Sequence, residues 1–194
     1  MTKMNSELET LVRPSAAEQL EFLRRDIERQ AGPGRLGTLK CLMSRSFWGI
    51  LEYRVERFFF LVFGNWYRFI RLPFIPALNL IQAYSNIEIP YRAEIKGGLQ
   101  IFHPSAGIVV SQFAVIGEDV ILYGGNVIGT RELHRGGVIR IGSRCILGAN
   151  SVVLGPVHIA NGCRIGALAC VIHDCHVEGA SLVGVPAKIK EKTF

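Results

Sequence analysis

The sequence predicts a mainly β chain, a parallel β-helix preceded by an N-terminal α-helical segment. An aliphatic residue recurs every six positions through the carboxy-terminal half, with small residues four positions after the later ones. Near residue 86 the spacing of apolar residues changes from the three-and-four pattern of helices to this repeat of six. A chain of 194 residues that is 49% hydrophobic is long enough to bury a core and too apolar for general disorder.

The first helix is expected to begin at Ser15, because Glu18 follows at the spacing of a capping box. The Gly-Pro-Gly sequence at 32–34 is expected to end it. The apolar face of this helix is expected to be formed by Leu20, Leu23 and Ile27.

A second, strongly aromatic helical stretch covers residues 46–71 and has two interpretations. From residue 35 to residue 86 there are seven Lys or Arg residues against two Glu. The segment 1–86 is either a helical cap that packs on the main domain or on other subunits, or a basic aromatic face resting on a membrane surface. Its longest uncharged run, residues 72–87, contains two prolines and is too short to span a bilayer.

The repeat of six is typical of a β-helix built from hexapeptides. Each short strand points one aliphatic residue inward, each corner needs a small residue, and three repeats make one coil. Residues 87–190 have room for about five coils, stacked at the ~4.8 Å spacing of paired strands. The inward aliphatic positions are expected at Ile89, Ile95, Ile101, Val110, Ile116, Leu122, Ile128, Ile141, Leu147, Val153, Ile159, Ile165, Val171, Val177 and Val183.

The repeat is interrupted twice. The interval from Ile101 to Val110 is nine residues instead of six, and His103 lies in the excess. The interval from Ile128 to Ile141 is thirteen residues, which predicts a bulged loop. Because a regular coil has no interior place for extra residues, we expect both insertions outside it, where they serve function.

Several stretches resemble the hexapeptide acyltransferases, and within them the serine acetyltransferase type. They are "IEIPYRAEIKGGLQIFHPSAGIVVSQFAVIGEDV", "NVIGT", "LGANSVVLG", "RIGALACVI" and the closing "GVPAKI". The resemblance implies that residues 87–190 form a left-handed β-helix acyltransferase domain, with 191–194 as a tail. It also implies a homotrimer or a dimer of trimers that binds acetyl-CoA between neighbouring subunits.

The resemblance assigns the chemistry to a few residues. His103 matches the catalytic base that takes the proton of the acceptor hydroxyl. Glu88 matches an acidic partner, which would fix the imidazole tautomer and stabilise the imidazolium. Backbone N–H groups at Gly129 and Thr130 are candidate oxyanion donors. The stretches that match cofactor-binding positions are Gly148-Ala149 and Gly166-Ala167, with Lys188 near the CoA phosphates.

The acceptor is less closely specified by the resemblance. Where serine acetyltransferases carry an Arg-His pair, this chain has Gly137 and Val138, and only His134 and Arg135 in the bulged loop are candidates to replace the pair. The chain looks closest to the O-acetyltransferases of capsule and exopolysaccharide synthesis, which favours a sugar hydroxyl in surface polysaccharide biosynthesis. The alternative is a serine O-acetyltransferase of cysteine biosynthesis. A non-catalytic β-helix scaffold is the alternative from another class.

Charge and cysteine content limit the remaining options. A net charge of +6 permits anionic small molecules or a membrane surface as partners, and no nucleic acid partner is expected. Five cysteines, with no export signal at the start, indicate free thiols and a cytoplasmic protein, peripheral at the inner face of the membrane if the aromatic segment binds lipid. No metal is expected, because the Cys and His side chains of residues 170–176 would diverge along a strand instead of converging on one point.

Overall fold

The computed structural model describes residues 14–32, 37–131 and 137–190. The amino-terminal part is helical, with short 3₁₀ turns at Gly64–Trp66 and Leu72–Phe74. The aromatic stretch is not one continuous helix, because the chain bends at Gly64, which has a φ of +57°. The helices are α1 (Ala16–Ala31), α2 (Gly37–Leu42), α3 (Arg45–Phe63), α4 (Tyr67–Ile70) and α5 (Ile75–Ser85).

The capping box predicted for the first helix is present. The Ser15 hydroxyl accepts a hydrogen bond from the Glu18 backbone N–H at 3.3 Å, and the Glu18 carboxylate accepts one from the Ser15 N–H at 2.6 Å. The helix ends at Ala31, before Gly32, whose φ of +64° a side chain would disfavour.

A parallel β-helix with three faces follows, beginning one residue after Asn86. A final short strand, β15 (Lys188–Ile189), folds back antiparallel onto β14. The first face contains β1 (Ile87–Glu88), β4 (Ile108–Val110), β7 (Asn126–Thr130), β10 (Val152–Gly155) and β13 (Cys170–Val171). The second face contains β2 (Glu94–Ile95), β5 (Ala114–Ile116), β8 (Ile139–Ile141) and β11 (Val157–Ile159). The third face contains β3 (Gln100–Phe102), β6 (Ile121–Tyr123), β9 (Ile146–Leu147), β12 (Arg164–Ile165) and β14 (Ser181–Val183).

The expected inward positions form the core, except in the last coil. The aliphatic positions expected inward from Ile89 to Val171 are all at most 4% exposed. Val177 and Val183 were expected inward, but they are 55% and 40% exposed, so that prediction is wrong. The fifth coil has only a single bridge on the second face, and Leu182 pairs with Ile165 after seventeen residues instead of eighteen. This shortened coil moves Leu182 inward in place of Val183.

The face of α1 that is buried also differs from the expectation. Leu20 is 62% exposed, whereas Gln19 and Asp26 are 1% exposed. The reason is that the first coil of a β-helix has an edge of unpaired backbone groups, which must find partners. The helices supply them: Asp26 accepts from the Leu99 N–H at 2.7 Å, and the Tyr53 hydroxyl donates to the Ala93 carbonyl at 3.0 Å. The helical segment therefore closes the open end of the coil.

All five cysteines are free. Cys145, Cys163 and Cys175 are buried inside the coil. Burial raises the pKa of the Cys163 thiol to about 12, which leaves it unreactive at neutral pH. These cysteines pack the core.

Candidate active site

The chain returns from the third face to the first at one corner, which we call the closing corner. Backbone hydrogen bonds join its successive turns, as from the Asn150 N–H to the Gly124 carbonyl and from the Leu168 N–H to the Ala149 carbonyl, both at 3.0 Å. Residues far apart in the sequence therefore line one edge of the molecule. The turns are residues 103–107, 124–125, 148–151 and 166–169.

The first of these turns is three residues longer than the second, and it presents His103 outside the coil, as the interrupted repeat predicts. His103 has a φ of +54°, a conformation uncommon for residues other than glycine, and its side chain is exposed. The carbonyl of His103 lies against Gly124, where a Cβ atom would overlap it. The neighbouring coil thus leaves the His103 backbone little room to move.

Two aromatic residues lie beside His103, and the sequence analysis did not single them out. The His103 ring stacks against Tyr123 with centroids 6.5 Å apart, and Tyr123 stacks against Phe102 at 5.4 Å. The signal for them was present, since each follows an inward residue of the repeat, Ile101 or Leu122, and so points outward.

Glu88 lies on β1, with its side chain exposed on the first face. Its strand partner is Val109, so it sits at the end of the first face that adjoins the closing corner. Asn86, two residues earlier, donates from its side-chain amide to the Ser105 carbonyl in the histidine turn at 3.4 Å. Among the described residues no hydrogen bond or ion pair joins Glu88 to His103. Glu88 and the turn that contains His103 therefore adjoin the same corner of the coil.

The positions expected to bind the cofactor continue the closing corner. Strand register puts Gly148 and Gly166 on the third and fourth coils where Phe102 and Tyr123 stand on the first two. The outer wall therefore changes from aromatic rings beside His103 to bare backbone about 10 Å and 14 Å further along the axis. Ala149 and Ala167 follow these glycines in the same two turns, and Lys188 lies exposed on β15, next to the last coil.

The candidate oxyanion donors lie elsewhere. Gly129 and Thr130 end β7, where they pair with Leu154 and Gly155 at the far end of the first face. Within one chain the structure does not bring them to His103, because β7 runs five residues away from the closing corner. His134 and Arg135, the candidates for acceptor binding, fall outside the described residues.

A cavity of about 440 Å³ lies between α3 and the second face, near that far end. Its lining includes Arg57, Phe60, Arg92 and Val138. Gly137 precedes Val138 and packs on the Pro156 ring, so that a Cβ at residue 137 would overlap it. The local packing therefore leaves no room for a side chain at residue 137.

The histidines of the last coils form a separate pair. His158 and His176 lie on successive coils with their Nδ1 atoms 3.3 Å apart, and Asp174 accepts a hydrogen bond from the His158 backbone N–H at 2.8 Å. Across residues 14–32, 37–131 and 137–190, no group of three or more His, Cys, Asp or Glu side chains is arranged to hold a metal ion. In the same part of the chain, no helix is long and apolar enough to cross a membrane.

The repeat of six matches a known sequence profile. The profile of the bacterial transferase hexapeptide (six repeats) matches residues 139–173, which contain parts of the third, fourth and fifth coils. This part of the β-helix therefore carries the hexapeptide repeat of that profile. No curated protein sequence matches it.

Serine acetyltransferases are among the solved structures with the same fold. The enzyme from Neisseria gonorrhoeae in complex with serine is 23% identical, with a TM-score of 0.75 over 90% of this chain and 70% of that one. The soybean apoenzyme is 25% identical, with a TM-score of 0.73 over 90% and 69%. A serine acetyltransferase in complex with CoA is 23% identical, with a TM-score of 0.70 over 90% and 70%. The solenoid is accordingly the left-handed β-helix of these enzymes, as predicted.

Proposed function

We propose that this protein is an acetyl-CoA-dependent O-acetyltransferase in which His103 is the general base. The observation that carries the proposal is the lengthened turn that presents the exposed His103 imidazole on the same edge as the bare backbone at Gly148 and Gly166. An extended thioester arm can lie along backbone that carries no side chains. The hexapeptide profile and the serine acetyltransferase neighbours, one of them in complex with CoA, support the same activity.

The reaction follows from the position of the imidazole. His103 takes the proton of the acceptor hydroxyl while the hydroxyl oxygen forms a bond to the acetyl carbonyl carbon. The bond from that carbon to the CoA sulfur then breaks, and the imidazolium returns the proton to the departing thiolate. Glu88 is the proposed positioning residue for the imidazole. Lys188 supplies a cation for the CoA phosphates, and N–H groups at Gly129 and Thr130 would stabilise the oxyanion only if a neighbouring copy brings them to the closing corner.

Assembly is part of the proposal. Gly129 and Thr130 lie across the first face from His103. Within one chain the proposed residues therefore do not meet at a single site. In a homotrimer or a dimer of trimers, acetyl-CoA would bind between the β-helices (residues 87–190) of neighbouring subunits. One end of the first face of one copy would then lie next to the other end of that face in its neighbour.

Serine is the first candidate acceptor, because the neighbouring structures of the same fold are serine acetyltransferases. A sugar hydroxyl of surface polysaccharide biosynthesis is the second candidate. It is favoured by Gly137 and Val138, which offer no charged side chain for an amino-acid carboxylate at the positions that the serine enzymes use. The two acceptors differ in charge and size, so one assay separates them.

The test is to incubate the protein with acetyl-CoA and either serine or a panel of free and nucleotide-linked sugars, and to follow release of the CoA thiol. Turnover with serine and none with sugars selects the first candidate, and the reverse result selects the second. A scaffold without activity would release no thiol with either, and CoA would not raise its melting temperature, whereas a CoA-binding enzyme is stabilised by its ligand.

A further inference from the structure

The helical segment carries a set of exposed apolar side chains that the proposed acetyl transfer does not use. Trp66 and Phe74 are the most exposed of them, at 73% and 60%. Exposed apolar groups are unremarkable when scattered but indicate a contact surface when they are contiguous. We call this surface the aromatic face; its members are Phe59, Phe63, Trp66, Phe69, Leu72 and Phe74.

Ring contacts show that much of the aromatic face is continuous. Phe59 and Phe63 stack with centroids 6.2 Å apart, and both belong to the last turns of α3. Trp66 and Phe69 contact each other at 5.9 Å across the junction of the 3₁₀ turn with α4. The bend at Gly64 folds the chain back so that Tyr67 stacks on Phe59 at 6.3 Å, which joins the two groups.

The stretch of chain that carries most of this face has charge of one sign. The sequence from residue 57 to residue 86 contains three arginines and no Asp or Glu. Arg68 is exposed, with its guanidinium 4.5 Å from the Phe69 ring centroid. The nearest carboxylates on α3, Glu52 and Glu56, are 7% and 2% exposed and bond inward, to Gln82 and Arg71. An approaching surface therefore meets aromatic rings and a cation, with the two glutamates of α3 buried behind them.

We propose that the aromatic face binds the surface of a bilayer that carries anionic headgroups. Aromatic rings bury at the boundary of headgroups and acyl chains, and basic side chains at the same level attract anionic lipid. A second copy of the chain fits this face less well. In a contact between two copies of the aromatic face, Arg68 would find no exposed carboxylate on the opposing face to pair with.

The experiment uses the full chain and vesicles of phosphatidylcholine alone or mixed equally with phosphatidylglycerol. The protein is expected to co-sediment with the anionic vesicles, and less with the neutral ones. In a Trp48→Phe variant, Trp66 is the remaining tryptophan, and its emission should shift to the blue on binding. The variant Trp66→Ser/Phe69→Ser should weaken the partition on the order of a hundredfold, and Arg68→Glu on the order of tenfold.

Matched controls lie on the far end of the β-helix. Val177→Ser and Arg164→Glu change an equally exposed apolar residue and an exposed arginine, and neither should alter vesicle binding. Circular dichroism and sedimentation velocity establish that each variant is folded and report its mass. The proposal is overturned if the chain does not bind anionic vesicles, or if the patch variants bind as well as the parent. A fall in assembled mass with unchanged vesicle binding would also overturn it, and would assign the face to another copy.

Discussion

Arg54 and Asp26 form an ion pair in which both side chains are 1% exposed and the Arg54 Nε lies 2.8 Å from Asp26 Oδ2. The pair joins α3 to α1 directly above the first coil. Arg54 also donates to the Ile95 carbonyl at 2.6 Å and to the Lys96 carbonyl at 2.8 Å. These bonds satisfy backbone groups that no preceding strand can reach.

Removing one partner of this pair is expected to destabilise the protein strongly. Arg54→Ala or Asp26→Ala leaves a buried charge without its partner, which costs about 3–5 kcal/mol in the free energy of unfolding. The double variant is expected to lose less than the sum, because no unpaired charge then remains. Urea unfolding measures the changes. Arg24→Ala, which breaks an exposed pair with Glu21, is the control and should change little; a single variant of the buried pair that behaves like it would contradict the prediction.

The repeat of six predicts the coil but not the buried Arg54–Asp26 pair that closes it. The repeat of six predicted the coil and its inward residues up to Val171, because each strand position depends only on its neighbours above and below. It failed at Val177 and Val183, where the coil ends and one residue is missing from the register. Leu20 was expected to be buried, but Asp26 is buried instead. The open edge of the first coil needs polar partners, and the periodicity of a helix sequence carries no information about that need.

For the candidate site, the interrupted repeat placed His103 outside the coil without any structural information. Sequence spacing also put Gly148 and Gly166 eighteen residues apart, hence on successive coils. It could not place Gly129 relative to His103, since that depends on how far β7 runs across the first face. The repeat does not predict the contact of Gly124 with the His103 carbonyl, because it does not contain how closely the two coils approach.

His103→Ala is expected to lower kcat by about 10²- to 10⁴-fold, the usual contribution of a general base. Affinity for CoA, measured by calorimetry, should remain close to that of the parent, because the bare backbone further along the corner is unchanged. His173→Ala removes an exposed histidine from the fifth coil and serves as the control. Retention of turnover by the His103 variant would exclude this residue as the base.

Glu88 is expected to act by positioning the His103 ring and not by binding substrate. Glu88→Gln should therefore lower kcat while KM for both substrates stays near the parental value. Glu88→Asp keeps the carboxylate and should restore much of the lost kcat. Steady-state kinetics of the three proteins give the answer, and equal losses in the two variants would argue that the carboxylate has no part in the reaction.

Gly124 should be as sensitive as the histidine it supports. A Cβ in Gly124→Ala overlaps the His103 carbonyl, so the turn must move, and a misplacement of about 1 Å reduces catalysis about a hundredfold. Gly117→Ala is matched in crowding, since its Cβ would lie 2.5 Å from the Ser143 nitrogen, but it lies at another corner. Both variants should lose about 1–3 kcal/mol of stability, and only Gly124→Ala should lose kcat beyond its folded fraction. Equal kinetic losses would reduce the role of Gly124 to folding.

Glu52 makes stability depend on pH near neutrality. Burial between α3 and α5 raises the pKa of this carboxyl from about 4.5 to about 7, although the Gln82 amide donates to it at 2.8 Å. Since the folded state then holds the proton more tightly than the unfolded state, stability is expected to fall as pH rises from about 4.5 to about 7. For a pKa shift of this size, the loss in the free energy of unfolding is roughly 3 kcal/mol.

Glu52→Gln replaces the protonated carboxyl with an uncharged amide of similar shape, which does not titrate. The variant should match the parent near pH 4.5 and exceed it in free energy of unfolding at pH 8, because only the parent must then bury a charge or take up a proton to fold. Urea unfolding at the two pH values measures the difference, with the exposed Glu28→Gln as the control. If the gap between variant and parent were the same at both pH values, Glu52 would not be the group that titrates. A gap that opens with rising pH identifies the carboxyl behind the aromatic face as a neutral acid at low pH, held by Gln82 and excluded from solvent.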